Sequence, residues 1–151
     1  MKQRIPLQII EGRLVLTAVV ECHKLRMHKQ IMDFVVDTGS QNSYFSGKEV
    51  LRLHIPISDK PAKGEVDVGG SRFKEIDLPK ITLYLLAEDK KSSISLDVLI
   101  GALKTTKTSV QNMQIAQALP SMLGMNFLKE QKISLHVILT ENLAYLEYEG
   151  N

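Results

Sequence analysis

Phe34-Val35-Val36-Asp37-Thr38-Gly39-Ser40 is the stretch on which the reading of this 151-residue chain turns. An apolar, β-branched run reads as the end of a strand, and burial on both faces would anchor Asp37 from behind. A carboxylate, a hydroxyl, a glycine and a second hydroxyl then follow in a tight turn. Gly39 has no side chain, so its amide can approach and donate to the carboxylate where a Cβ would obstruct it. Thr38 and Ser40 supply hydroxyls, one able to tie the turn to a neighbouring copy and the other able to bond the carboxylate and hold its charge. Asp37 is therefore the candidate catalytic group. The plainer reading is a turn that closes a hairpin: an Asp-Thr-Gly triplet arises by chance in roughly one chain in thirty of this length, so a second element is needed.

The stretch resembles the signature of the retropepsin-type aspartic proteases, an apolar run followed by Asp-Thr/Ser-Gly-Ser/Thr/Ala, and most closely that of the short bacterial and cellular single-domain members. The resemblance implies a later turn in which two apolar residues precede a glycine, then a short helix and a closing strand pair. Met122-Leu123-Gly124, with residues 125–128, 133–139 and 143–148 behind it, fits in order and spacing. In the family that glycine lets its segment pass beside the Asp-Thr-Gly loop. Leu99-Ile100-Gly101 competes for the role, but a Lys/Thr-rich segment follows it instead.

The resemblance also implies the chemistry. Two carboxyl groups share one proton, one acting as general base on a water while the other polarises the scissile carbonyl. No other Asp here precedes Thr-Gly or Ser-Gly, so the pair requires a homodimer in which Asp37 meets its symmetry mate. The hairpin expected at residues 66–73, with Val68, Gly69, Gly70 and Ser71 at its tip, takes the place of the family's flap, which closes over an extended peptide and pairs with its backbone; the plainer reading is a surface turn. Retroviral members pair an Asp with an Arg where this chain has Asn42 and Met125, so both partners are absent together. Ser40, where those enzymes often have Ala, is expected to bond the carboxylate and shift the working range toward acid. The chain ends could interleave between subunits or pair within one.

The implied fold is all-β, a closed acid-protease β-barrel with one or two short helices, in a single domain over residues 1–151 with an insertion at about 102–119. That insertion could cover the site, mediate assembly or be tolerated surface. Residues 5–10 and 14–21 read as strand, turn, strand; a polar loop at 22–29 returns the chain toward Asp37. Ser46 and Glu49 have capping-box spacing for a helix through about Leu53, ahead of Pro56. Strands are expected at 76–87, broken by Pro79, and at 93–100, with a helix at 111–119.

Composition sets bounds. Apolar residues make up 44% and charged residues 24%, ordinary for a globular domain, and a net charge of +2 gives no reason to expect nucleic acid. Residues 1–20 read as neither a leader nor a membrane span, because Gln8, Glu11 and Arg13 interrupt the apolar run. Cys22 is the sole cysteine, which excludes an internal disulfide; a reducing compartment is allowed but not demanded, so the compartment stays open, with the cytoplasm slightly favoured and the periplasm possible. Cys22, His23 and His28 lack the spacing of a zinc site, so no metal and no cofactor are expected. A serine-hydrolase triad around Ser40 lacks its Gly-x-Ser-x-Gly turn. The expected function is an aspartic endopeptidase acting on peptide or protein. The alternatives are a catalytically inactive peptide- or protein-binding module of the same fold, and a structural β-barrel interaction domain.

Overall fold

The two strands that feed Asp37 are each ten residues long, β2 (Arg13–Cys22) and β3 (Met27–Val36) of the twelve strands seen in the described residues, counted in chain order. They come from a computed structural model that describes residues 2–106 and 109–150. The strands pair antiparallel from Val15 opposite Val35 to Cys22 opposite Met27, with a bulge between Val20 and Cys22. The loop expected over 22–29 is shorter than the polarity suggested. Cys22 and Met27 are buried cross-strand partners, so the ladder runs on and the chain reverses within residues 23–26, with Arg26 at φ +54°.

β1 (Gln3–Ile10) divides its edge. Residues 8–10 pair with β2, and residues 3–7 pair with β12 (Leu143–Tyr148), which in turn pairs with β11 (Ile133–Ile138). The terminal strands thus pair within one chain. β7 (Ile81–Leu86) joins the far half of β2 and forms a hairpin with β8 (Ser93–Val98). The turn between them is fixed by Asp89, whose carboxylate accepts from the backbone of Lys91 and Ser92 and from the Ser92 hydroxyl.

Beyond Asp37 the elements are short. β4 (Tyr44–Phe45) leads into α1 (Gly47–Arg52), where the Ser46 hydroxyl accepts from Glu49 N–H. Only half of the capping box forms: Ser46 N–H donates to the Ser121 hydroxyl, and the Glu49 carboxylate pairs with Arg52. β5 (Gly64–Val68) and β6 (Ser71–Ile76) make the glycine-tipped hairpin, and β9 (Gly101–Thr105) lies between β6 and β4. α2 (Val110–Ala118), β10 (Met122–Leu123) and α3 (Met125–Glu130) complete the set.

Two expectations change, and a third gains detail. Among the described residues the strand order runs β11-β12-β1-β2-β3-β10-β4-β9-β6-β5, with β7 pairing β2 and β8 pairing β7; β11 and β5 end this path and do not pair with one another, so the sheet is open rather than a closed barrel. Among the described residues three α-helices form rather than one or two. The insertion expected from 102 begins with a sheet strand, because Ala102 and Leu103 are fully buried in β9. The large core packs Phe34 against Phe45, ring centroids 6.0 Å apart, with Leu16, Leu83, Leu123 and Phe127 around them. A smaller core of Tyr44, Phe73, Leu103, Ala116 and Met122 lies under the hairpin and binds α2 to it.

Candidate active site

Phe34 and Val36 point into the large core, and Asp37 emerges where β3 leaves the sheet. β10 runs parallel beside β3, pairing Met122 with Val35 and Leu123 with Val36, and Asp37 N–H donates to the Leu123 carbonyl at 2.9 Å. β10 also contacts β4 on its other side, so the strand carrying Asp37 and the strand that follows its loop are held by one intervening segment. The turn closes through Ser40 N–H to the Asp37 carbonyl at 3.2 Å. Gly39 N–H donates to Asp37 Oδ1 at 2.9 Å, and a Cβ on Gly39 would stand only 3.1 Å from that oxygen. The Asp37 carboxylate is thereby oriented yet exposed, as are Thr38 and Gly39.

Ser40 departs from expectation. Its hydroxyl donates to the Asn42 carbonyl at 2.7 Å and braces the loop rather than the carboxylate. The loop doubles back between residues 40 and 42, which gives that hydroxyl a nearer carbonyl. The acid shift expected from a Ser40 bond to Asp37 therefore has no geometric basis.

Gly124 packs directly on the loop. A Cβ there would fall 2.3 Å from the Asn42 carbonyl oxygen and 2.5 Å from that of Ser40, both backbone atoms. The next two amides dock on the same loop, Met125 N–H to the Ser40 carbonyl at 2.8 Å and Asn126 N–H to that of Gln41 at 2.9 Å. Those carbonyls satisfy free donors in the first turn of α3, so helix and loop fix one another. The competing glycine, Gly101, instead lies across β4, its N–H on the Ser43 carbonyl and its place for a Cβ 3.0 Å from the Ile76 carbonyl.

Two residues not singled out from the sequence join this arrangement. The buried Ser43 hydroxyl accepts from Gly124 N–H at 2.9 Å and donates to Asn126 Oδ1 at 2.7 Å; Asn126 Nδ2 then reaches the Leu99 carbonyl. The available signal was a polar side chain on each of the two segments expected to meet. Asn42 contributes its carbonyl to the loop, while the Met125 side chain is exposed.

The hairpin 64–76 stands over this loop. Gly69 and Gly70 have φ of +60° and +82°, the left-handed pair that a two-residue hairpin turn requires, with Val68 opposite Ser71. Its tip is braced by the α2 segment: a Cβ on Gly69 would fall 2.7 Å from Leu119 Cδ2, and the Ser71 hydroxyl donates to Asn112 Oδ1 at 3.2 Å. Between hairpin and loop is an open cavity of about 390 Å³, bordered by Asp37, Gly39, Ser40, Val66, Val68, Gly69 and Met122 among others. Tyr44 forms part of it, and its buried hydroxyl donates to Glu75 at 3.0 Å; burial is the main cause raising its pKa to about 12. Larger depressions of about 760 and 920 Å³ lie elsewhere and do not include Asp37.

Among the described residues no group of three or more His, Cys, Asp or Glu side chains gathers as a metal site requires. Cys22 is buried against the Lys80 carbonyl, whereas His23 and His28 are exposed. Among the described residues no helix is long and apolar enough to cross a membrane.

No family model matches the sequence, and no curated protein matches it. Among solved structures, a retropepsin-like aspartic protease from Rickettsia conorii aligns over 98% of this chain and 93% of its own, with a TM-score of 0.58 and 13% identity. The fold is retropepsin-like. At that identity the likeness concerns chain path alone.

Proposed function

We propose that the chain is an aspartic endopeptidase whose catalytic pair is two Asp37 carboxyls brought together across a homodimer. The observation that carries this is the setting of Asp37: a carboxylate at the end of a buried strand, oriented by Gly39 N–H, locked from behind by Gly124, and facing a cavity under a glycine-tipped hairpin. A single chain supplies one such carboxylate, and two juxtaposed carboxylates hold a shared proton because both cannot ionise side by side.

In this reading the extended peptide lies between hairpin and loop, held as an added strand beneath the hairpin tip. The ionised Asp37 takes a proton from water as the water oxygen bonds to the scissile carbonyl carbon. The protonated Asp37 donates to the carbonyl oxygen. Collapse of the diol breaks the C–N bond, the leaving amine takes up a proton from one carboxyl while the other takes the diol hydroxyl proton, restoring the shared proton, and no covalent enzyme intermediate forms. Thr38, exposed beside Asp37, is the hydroxyl available to tie the two loops together. The paired carboxyls give a bell-shaped rate profile with its maximum below neutral pH.

A second reading, the same fold binding peptides without cleaving them, is favoured by one observation. β1 and β12 pair within one chain over residues 3–7, so the ends do not need a partner to complete a sheet. One comparison separates the readings: wild type against Asp37→Asn on an unfolded protein substrate from pH 3 to 7, with and without a statine-type inhibitor, alongside sedimentation mass. Cleavage by the dimer that Asp37→Asn and the inhibitor both abolish supports the peptidase. A stable monomer that binds peptide and never cuts supports the module.

A further inference from the structure

The chain as a whole is basic, with a net charge of +2, yet the charged side chains that border the Asp37 cavity are all acidic: Asp37, Glu65, Asp67 and Glu75. Glu65 and Asp67 share Arg72, at 3.4 and 3.0 Å. Glu75 is different. It is half-buried, sits near the end of β6 between Gly64 and Leu103, and forms no ion pair among the described residues; its hydrogen-bond donor is the neutral Tyr44 hydroxyl. It also borders an adjoining cavity of about 320 Å³ with Asp77 and Glu130, where Lys63 is already paired to Asp77 at 3.7 Å. Negative charge thus continues outward from Asp37 along the cleft.

Resting on the peptidase reading above, the geometry points to a substrate class: extended peptides with a lysine or arginine near the cleaved bond, the cation seated against Glu75. A long basic side chain suits this wall in both parts. Its methylene stem covers Val66, Val68 and Met122, and its head reaches a carboxylate that Tyr44 holds in place. A glutamate in the same position meets the unpaired charge of Glu75 and is rejected.

The test uses peptides identical except at one position, which carries Lys, Gln or Glu and is moved in turn along the residues flanking a central apolar pair. With wild type at one position, kcat/KM for Lys exceeds that for Gln by about tenfold, the size of one partly buried charge pair, and Glu is poorer still. Glu75→Gln keeps an oxygen to accept from Tyr44 and loses only the charge, so the Lys/Gln ratio drops to within about twofold of one. In parallel, Kd values for the same peptides are measured with Asp37→Asn and with Asp37→Asn combined with Glu75→Gln. If wild type cleaves nothing, the peptidase reading fails, and Lys-selective, Glu75-dependent binding still supports the charge preference. Equal rates and equal Kd values across the three side chains, or a Lys preference that survives Glu75→Gln, overturn it.

Discussion

Gly124→Ala puts a methyl carbon where the structure already has backbone. At φ −97° and ψ −165° the glycine is extended, a conformation any residue adopts, so the cost is steric rather than torsional. The new Cβ falls 2.3 and 2.5 Å from the carbonyl oxygens of Asn42 and Ser40. Relief to an ordinary contact of roughly 3.5 Å requires the two segments to part by about 1 Å. Overpacking of this kind costs about 1 to 3 kcal/mol. Parting also strains the three hydrogen bonds from Gly124, Met125 and Asn126 to the loop, each contributing about 1 kcal/mol. The expected loss is about 3 to 5 kcal/mol from a total of about 5 to 15. With a slope of about 2 kcal/mol per molar, the urea midpoint falls by about 2 M. Gly12→Ala is the control: its Cβ meets nothing within 4 Å and only its φ of +76° opposes the change, so about 1 kcal/mol is expected. A Gly124→Ala protein within about 0.5 kcal/mol of wild type would refute the claim that this glycine locks the Asp37 loop.

Other outcomes follow from single contacts. Tyr44→Phe removes a group whose folded pKa is raised to about 12 from 10.0; the proton is held more tightly in the folded state, so wild type loses stability as pH rises through 10 to 12 and the variant lacks that slope in alkaline urea titrations. The size is at most about 3 kcal/mol. Leu119→Ala frees the hairpin tip at Gly69, and amide exchange across residues 66–73 accelerates by about tenfold while β2 and β3 stay protected. Ser43→Ala leaves Gly124 N–H and Asn126 Oδ1 without their buried partner and costs about 1 to 3 kcal/mol in the same denaturant assay, whereas exposed Ser95→Ala is neutral.

What was legible in the sequence was what glycine and strand pattern encode. Gly39, Gly124 and the Gly69-Gly70 pair each stand where a Cβ would crowd a neighbour or where φ is positive, constraints that leave a mark on residue choice. The buried run before Asp37 and the strand pair after α3 were visible as apolar periodicity. What was not legible depends on distant partners. Ser40 had two geometrically reasonable acceptors, and only the path of residues 40–42 selects the Asn42 carbonyl. Ser43 and Asn126 are 83 positions apart and become a pair only when α3 docks on the loop. The open ends of the sheet likewise follow from which edges meet in space, and β9 was hidden because its two buried residues, Ala102 and Leu103, make too short an apolar run.

The most direct measurement is the stoichiometry of a statine-type peptide inhibitor by titration calorimetry, with sedimentation mass on the same samples. A hydroxyl held between two Asp37 carboxyls predicts one inhibitor per two chains, binding tightest in acid and lost in Asp37→Asn. One inhibitor per chain on a monomer, or equal binding to Asp37→Asn, would contradict the paired-carboxylate account.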